Sequence, residues 1–170
     1  MNYYHLTVPQ LVHILRQIPR WLDKAEAYAA SKKFDVQVLL ESRLAPDQYN
    51  LIRQVQGTCD VAKNFTARLA GVEPPKFEDD EKTAAELRAR IEKTVAWLET
   101  FKPEQFEGAD DRMISLPFAK DKVMKGSDYL SQLLLPNVYF HATLIYSILR
   151  HNGVDLGKLD FLGDINLRDA

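Results

Sequence analysis

The chain has 170 residues, 46% hydrophobic and 27% charged, which is globular usage and argues against disorder. A net charge of −2 gives no electrostatic basis for nucleic acid or an anionic membrane as partner. A single cysteine, Cys59, excludes an intramolecular disulfide, and the length suits one domain over residues 1–170.

The opening residues, Met1-Asn2-Tyr3-Tyr4-His5, carry no basic region followed by an apolar run, so no signal peptide is expected. A first helix is expected over residues 7–31, with Thr7 as N-cap, Pro9 in the first turn and a kink at Pro19. Its apolar stripe is Leu11, Ile14, Leu15, Ile18, Leu22, Ala25 and Ala29. A second helix should start at Pro46 and end at Gly71, with Ile52, Val55, Cys59, Ala62, Phe65, Thr66 and Leu69 turned inward. After the Pro74-Pro75 linker, the acidic run Glu78-Asp79-Asp80-Glu81 suits the positive end of a third helix. That helix shows the cleanest amphipathic pattern, from Ala84 through Leu87, Ile91, Val95 and Leu98 to Phe101, with Glu86 and Arg90 as an outer i,i+4 pair.

Between Pro103 and Gly126 the period changes. Met113 to Phe118 and Lys122 to Met124 flank a polar Ala119-Lys120-Asp121 turn, which reads as a small hairpin or an irregular loop. A fourth helix should run from Ser127 or Asp128 to Gly153, apolar on more than one face and kinked or broken at Pro136. Its most apolar part, residues 130–149, contains Gln132, Pro136, Asn137, His141 and Thr143, polar or helix-breaking residues that hydrocarbon would not satisfy. A cytoplasmic protein is therefore expected. The tail retains Leu156, Leu159, Phe161, Leu162 and Ile165, which should dock on the bundle or on a second subunit. The fold class that results is all-α, a bundle of four helices.

No nucleotide-binding glycine loop and no nucleophile elbow occur. Cys59 lies on an apolar stripe and reads as a buried, inert thiol. His5, His13 and His151 share no metal-ligand spacing. Asn137 and His141 fall on the stripe Leu133–Asn137–His141–Leu144–Ile148, expected to face inward. Polar groups there need partners, and Gln56, on the Ile52–Cys59 line of helix two, could serve. Three readings follow: a buried hydrogen-bonded cluster, a small-molecule pocket built on His141, or a metal site recruiting Asp60.

The stretches Pro136-Asn137-Val138-Tyr139-Phe140-His141, Ile148-Leu149-Arg150-His151-Asn152-Gly153 and Gly157-Lys158-Leu159-Asp160-Phe161-Leu162-Gly163 are distinctive. So are Arg43-Leu44-Ala45-Pro46-Asp47 and Asp110-Asp111-Arg112. Together they resemble a bacterial family of unknown function within the DinB/YfiT-like superfamily of metal-dependent four-helix bundles. The superfamily pattern implies a divalent metal, zinc or nickel, on three histidines, one from the second helix and two, four residues apart, from the last. Laid on this chain, it places those ligands at Gln56, Asn137 and His141, with Asp60 one turn beyond Gln56. Only His141 is a histidine, and neutral amides are poor ligands for such metals. The resemblance therefore implies a bundle with a degenerate metal site: a non-catalytic or small-molecule-binding protein, expected as a homodimer. Its alternative is a metal-dependent hydrolase or transferase. In that case His141 is a ligand, Gln56 and Asn137 are weak ligands or water-positioners, and Asp60 is a ligand or general base.

Overall fold

The computed structural model describes residues 2–169, which are mostly helical. The side chain of Asn2 accepts a hydrogen bond from the His5 amide, so α1 (Tyr3–Lys32) starts a full turn earlier than the expected Thr7 cap. Thr7 is instead buried within the helix, its hydroxyl donating to the Tyr3 carbonyl at 2.7 Å. Helix α1 runs through Pro9 and Pro19 as one element and ends at Lys33, whose φ of 61° is left-handed. A short turn, α2 (Gln37–Leu40), was not visible in the sequence pattern.

Asn50 caps α3 (Leu51–Ala70), accepting from the Arg53 amide at 3.0 Å. The helix thus begins five residues after Pro46, and Gly71, with φ +74°, closes it as expected. The start of α4 (Ala84–Leu98) is set by a reciprocal capping box between Thr83 and Glu86, so the acidic run does not lie on its first turn. That run belongs to an extended strap, residues 72–82, in which the Asp79 and Glu81 carboxylates turn to Arg53 and Arg90 and Glu78 pairs with Lys76. Glu86 is the capping residue and Arg90 is buried, so the expected outer Glu86–Arg90 pair does not exist.

After a 3₁₀ turn (Pro103–Phe106), β1 (Met113–Leu116) and β2 (Ala119–Lys125) form an antiparallel hairpin. Leu116 pairs with Ala119, so the turn is Pro117-Phe118 and not residues 119–121; Asp121 adopts φ 60° within β2. The next stretch is one turn, α5 (Gly126–Asp128), a π-helical segment (Tyr129–Leu134) and α6 (Leu135–His151). Pro136 has no N–H to give to the carbonyl of Gln132, and the chain absorbs the loss by widening the preceding turns without breaking.

Helices α1, α3, α4 and α6 pack on one another around a core that includes Leu15, Ile18, Trp21, Val55, Cys59, Ile91, Val138 and Ile145. The buried residues of α6 are Val138, Ala142, Ile145, Ile148 and Leu149, continuing the line of Leu134 before it, so of the expected stripe Ile148 is buried while Leu133, Asn137, His141 and Leu144 are only partly so. Several faces of this helix are apolar, so periodicity alone could not choose between them. Packing selects the line that strands no polar side chain and leaves Asn137 and His141 half-buried on its flank. The short α7 (Lys158–Leu162) docks on α1. Trp21 Nε1 donates to the Asp160 carbonyl at 2.9 Å, Phe161 stacks on Trp21, and Lys24 pairs with Asp160 at 2.7 Å. Among the described residues no helix is long and apolar enough to cross a membrane.

Candidate functional site

His141 lies against α3 where Gly57 offers no side chain. A Cβ there would stand 3.0 Å from the imidazole Cε1 and 3.2 Å from Nδ1. The ring's Nδ1 is 2.8 Å from Oε1 of the buried Gln54. Gln54 donates its own amide N–H to the Tyr49 carbonyl at 3.3 Å, which turns Oε1 toward the ring. An amide oxygen only accepts, so Nδ1 carries the proton and Nε2 the lone pair. Burial lowers the His141 pKa below its ordinary value, so the imidazole is neutral at pH 7. Beside it opens a cavity of about 220 Å³ lined by Asp47, Gln48, Tyr49, Gln54, Phe140, His141 and Leu144. Tyr49 and Phe140 are more than half exposed at 54% and 57%, so the cavity has aromatic walls open to solvent.

Gln56 and Asp60 face the other way. Two residues along a helix turn the side chain by roughly 200°, so Gln54 and Gln56 serve opposite faces of α3. Gln56 accepts from Arg53 Nη1 at 2.9 Å and donates to Glu81 at 2.9 Å. One turn on, Asp60 accepts from Arg90 Nη2 at 2.8 Å and lies 3.6 Å from the Lys63 ammonium. The Arg90 side chain is 1% exposed. Its guanidinium also reaches the Glu78 carbonyl at 2.7 Å, Asp79 at 2.9 Å and Glu81 at 3.0 Å. Burial pushes the Asp60 carboxyl up and the Lys63 ammonium down, each only partly opposed by neighbouring charge. Burial also acts to raise Asp79, but the Arg53 hydrogen bond and the two guanidinium charges outweigh it and hold the carboxyl low. This is a buried ionic hub that ties the strap to α3 and α4.

The four residues suggested by the superfamily pattern are therefore divided between two places. His141, with Asn137 one turn before it on α6, belongs to the Gln54 side; Gln56 and Asp60 belong to the Arg90 hub. Among the described residues no group of three His, Cys, Asp or Glu side chains could hold a metal ion. The residues present do not fit a three-histidine centre. Cys59, between the two faces, is fully buried, and its thiol is pushed up to about 12 by that burial, which keeps it protonated and inert.

Gln54, Gly57, Tyr49 and Phe140 were not singled out by sequence. The available cue was Gly57, a helix-interior glycine that sacrifices about 1 kcal/mol of helix propensity and so marks a close approach. Arg90 offered no cue, because a charge between apolar positions of an amphipathic helix reads as solvent-facing.

A family model described as "Domain of unknown function (DUF1993)" matches residues 3–162. The chain belongs to this family. A DUF1993 chain of this kind also has a solved likeness, the crystal structure of a DinB family member protein from Shewanella denitrificans. The two share 46% sequence identity with a TM-score of 0.96, over 99% of this chain and 96% of that one. The DinB-like character implied by the sequence motifs is thus shown for this DUF1993 protein, and no curated protein matches it.

Proposed function

We propose that this DUF1993 protein is a DinB-type four-helix bundle that binds a small molecule, without catalysis, at the pocket beside His141. The bundle consists of α1, α3, α4 and α6, with the β1–β2 hairpin inserted before the last helix. One observation carries the functional reading: a neutral imidazole is held in a single tautomer by Gln54, on the wall of an aromatic-lined cavity. The orienting partner is an amide, which cannot stabilise an imidazolium as a carboxylate does, so the ring is suited to hydrogen bonding and not to proton transfer. The superfamily's metal role passes to a degenerate position here, with no resident zinc or nickel.

The test is NMR of the His141 ring during a fragment screen, together with metal analysis of natively purified protein and a thermal-shift series in zinc, nickel and manganese. The expected outcome is fragment-induced shifts at His141, no stoichiometric metal and no metal-induced stabilisation. Stoichiometric zinc or nickel that disappears in His141→Ala would instead overturn this reading and supply the metal that the hydrolase or transferase alternative requires. A homodimer in the cytoplasm completes the proposal. The assembly is supported by apolar groups left on the surface of the hairpin, where Met113, Phe118 and Val123 are each more than half exposed. Light scattering that gives the mass of a single chain removes the dimer.

A further inference from the structure

The His141 pocket is mainly apolar, with one acidic residue and no cationic one in its lining. The lone pair of His141 Nε2 is left free by the Nδ1–Gln54 bond. Asp47 is the one acidic residue of the lining, which contains no lysine or arginine. The nearest guanidinium, Arg53 over the Tyr49 ring at 5.4 Å, is already committed to Asp79 at 2.7 Å and to Gln56. Aromatic walls at Tyr49 and Phe140 favour a flat or cationic guest. A cavity of roughly 150 Å³ accepts benzene in other proteins, so this one has room for a single ring and a polar head.

We infer that the pocket takes a small planar cation bearing several N–H donors, of the amidinium or guanidinium type, with Asp47 as its counter-charge and His141 Nε2 as an acceptor. The inference rests on the small-molecule reading above and specifies the ligand class of the same site. A carboxylate or phosphate guest would face the Asp47 charge and the Nε2 lone pair with no cationic side chain in the lining. A neutral aromatic guest would leave the Asp47 charge unmatched.

Three isosteric probes decide it: benzamidinium, benzamide and benzoate, each titrated into the full chain while the His141 ring and the Gln54 and Gly57 amides are followed by NMR. Benzamidinium should give saturable shifts and bind at least about tenfold more tightly than benzamide, with benzoate inactive. Asp47→Asn should reduce benzamidinium affinity by about tenfold and leave benzamide unchanged. Its circular dichroism should match the parent, because Asp47 lies in an exposed loop. Benzamidinium affinity should also fall as His141 becomes protonated. If benzamide or benzoate binds as well as benzamidinium, the pocket is a small-molecule site but the cation assignment is wrong. If all three fail while other fragments shift His141, the ligand class falls and the function stands. Silence from every fragment removes both.

Discussion

Gly57→Ala isolates the contact on which the site depends. The added Cβ would stand 3.0 Å from Cε1, 3.2 Å from Nδ1 and 3.3 Å from Nε2 of His141, closer than such atoms settle, so the ring must move by a few tenths of an ångström. Movement stretches the 2.8 Å bond to Gln54. Losing that bond costs about 1 kcal/mol, while replacing a helix-interior glycine by alanine returns about 0.8–1.0 kcal/mol of helix propensity. The two nearly cancel, and urea denaturation should place the variant within about 0.5 kcal/mol of the parent. The informative quantity is the His141 titration. A ring displaced toward solvent loses part of the burial that lowers its pKa, so its NMR titration midpoint should rise toward the ordinary histidine value. A variant stabilised by the full propensity gain, with an unchanged His141 midpoint, would show that the ring does not rest on Gly57.

Arg90→Met leaves Asp60, Asp79 and Glu81 without their shared cation and should cost about 3 kcal/mol or more in urea denaturation; a loss under 1 kcal/mol would contradict the buried hub. Thr83→Ala removes the N-cap of α4 and should cost about 1 kcal/mol by the same measurement. His141 has a folded pKa below its unfolded value of about 6.5, so below that pH the unfolded chain binds the extra proton and the native chain does not. Its contribution is present above that pH and lost as pH falls through the folded pKa. Between about pH 7.5 and 5, stability should therefore decline more steeply in the parent than in His141→Gln, with equal slopes refuting the assignment.

The helices were legible because their stripes are long and their termini carry recognisable chemistry: Gly71 ends α3 where a left-handed residue was required. Starts were harder to place. Thr7 and Pro46 both look like helix openings, but Asn2 and Asn50 make the capping bonds, and competing cap residues can be ranked only by which amides they reach. The candidate site was half legible. His141 was found by its place in a motif. Its partner was misassigned from Gln54 to Gln56, since two glutamines two residues apart on one helix differ in sequence only by phase. The phase was set by α6, whose several apolar faces gave periodicity no unique answer. Arg90 shows a different limit: its burial depends on a strap whose extended path from residue 72 to 82 has no periodic signature.

Two polar sites on opposite faces of α3 raise the question of whether they communicate. Gln54 and Gly57 meet His141 on one side, and Gln56 and Asp60 meet Glu81 and Arg90 on the other. Between them run Val55 and Cys59, both fully buried and apolar in behaviour. Among the described residues, the one side chain that touches both clusters is Arg53, which lies over the Tyr49 ring on the pocket side and bonds Gln56 and Asp79 on the other, and a partly exposed contact of that kind carries only about 0.5–1 kcal/mol. A close-packed helix resists small displacements. The double variant Arg90→Met/His141→Gln should then show additive losses, with an interaction energy within about 0.5 kcal/mol of zero. Thermodynamic independence would mean that the strap and hub serve the stability of the bundle while the His141 pocket varies separately with its ligand. A larger interaction energy would make α3 the element through which the strap tunes the pocket, and benzamidinium affinity in Arg90→Met would then change with it.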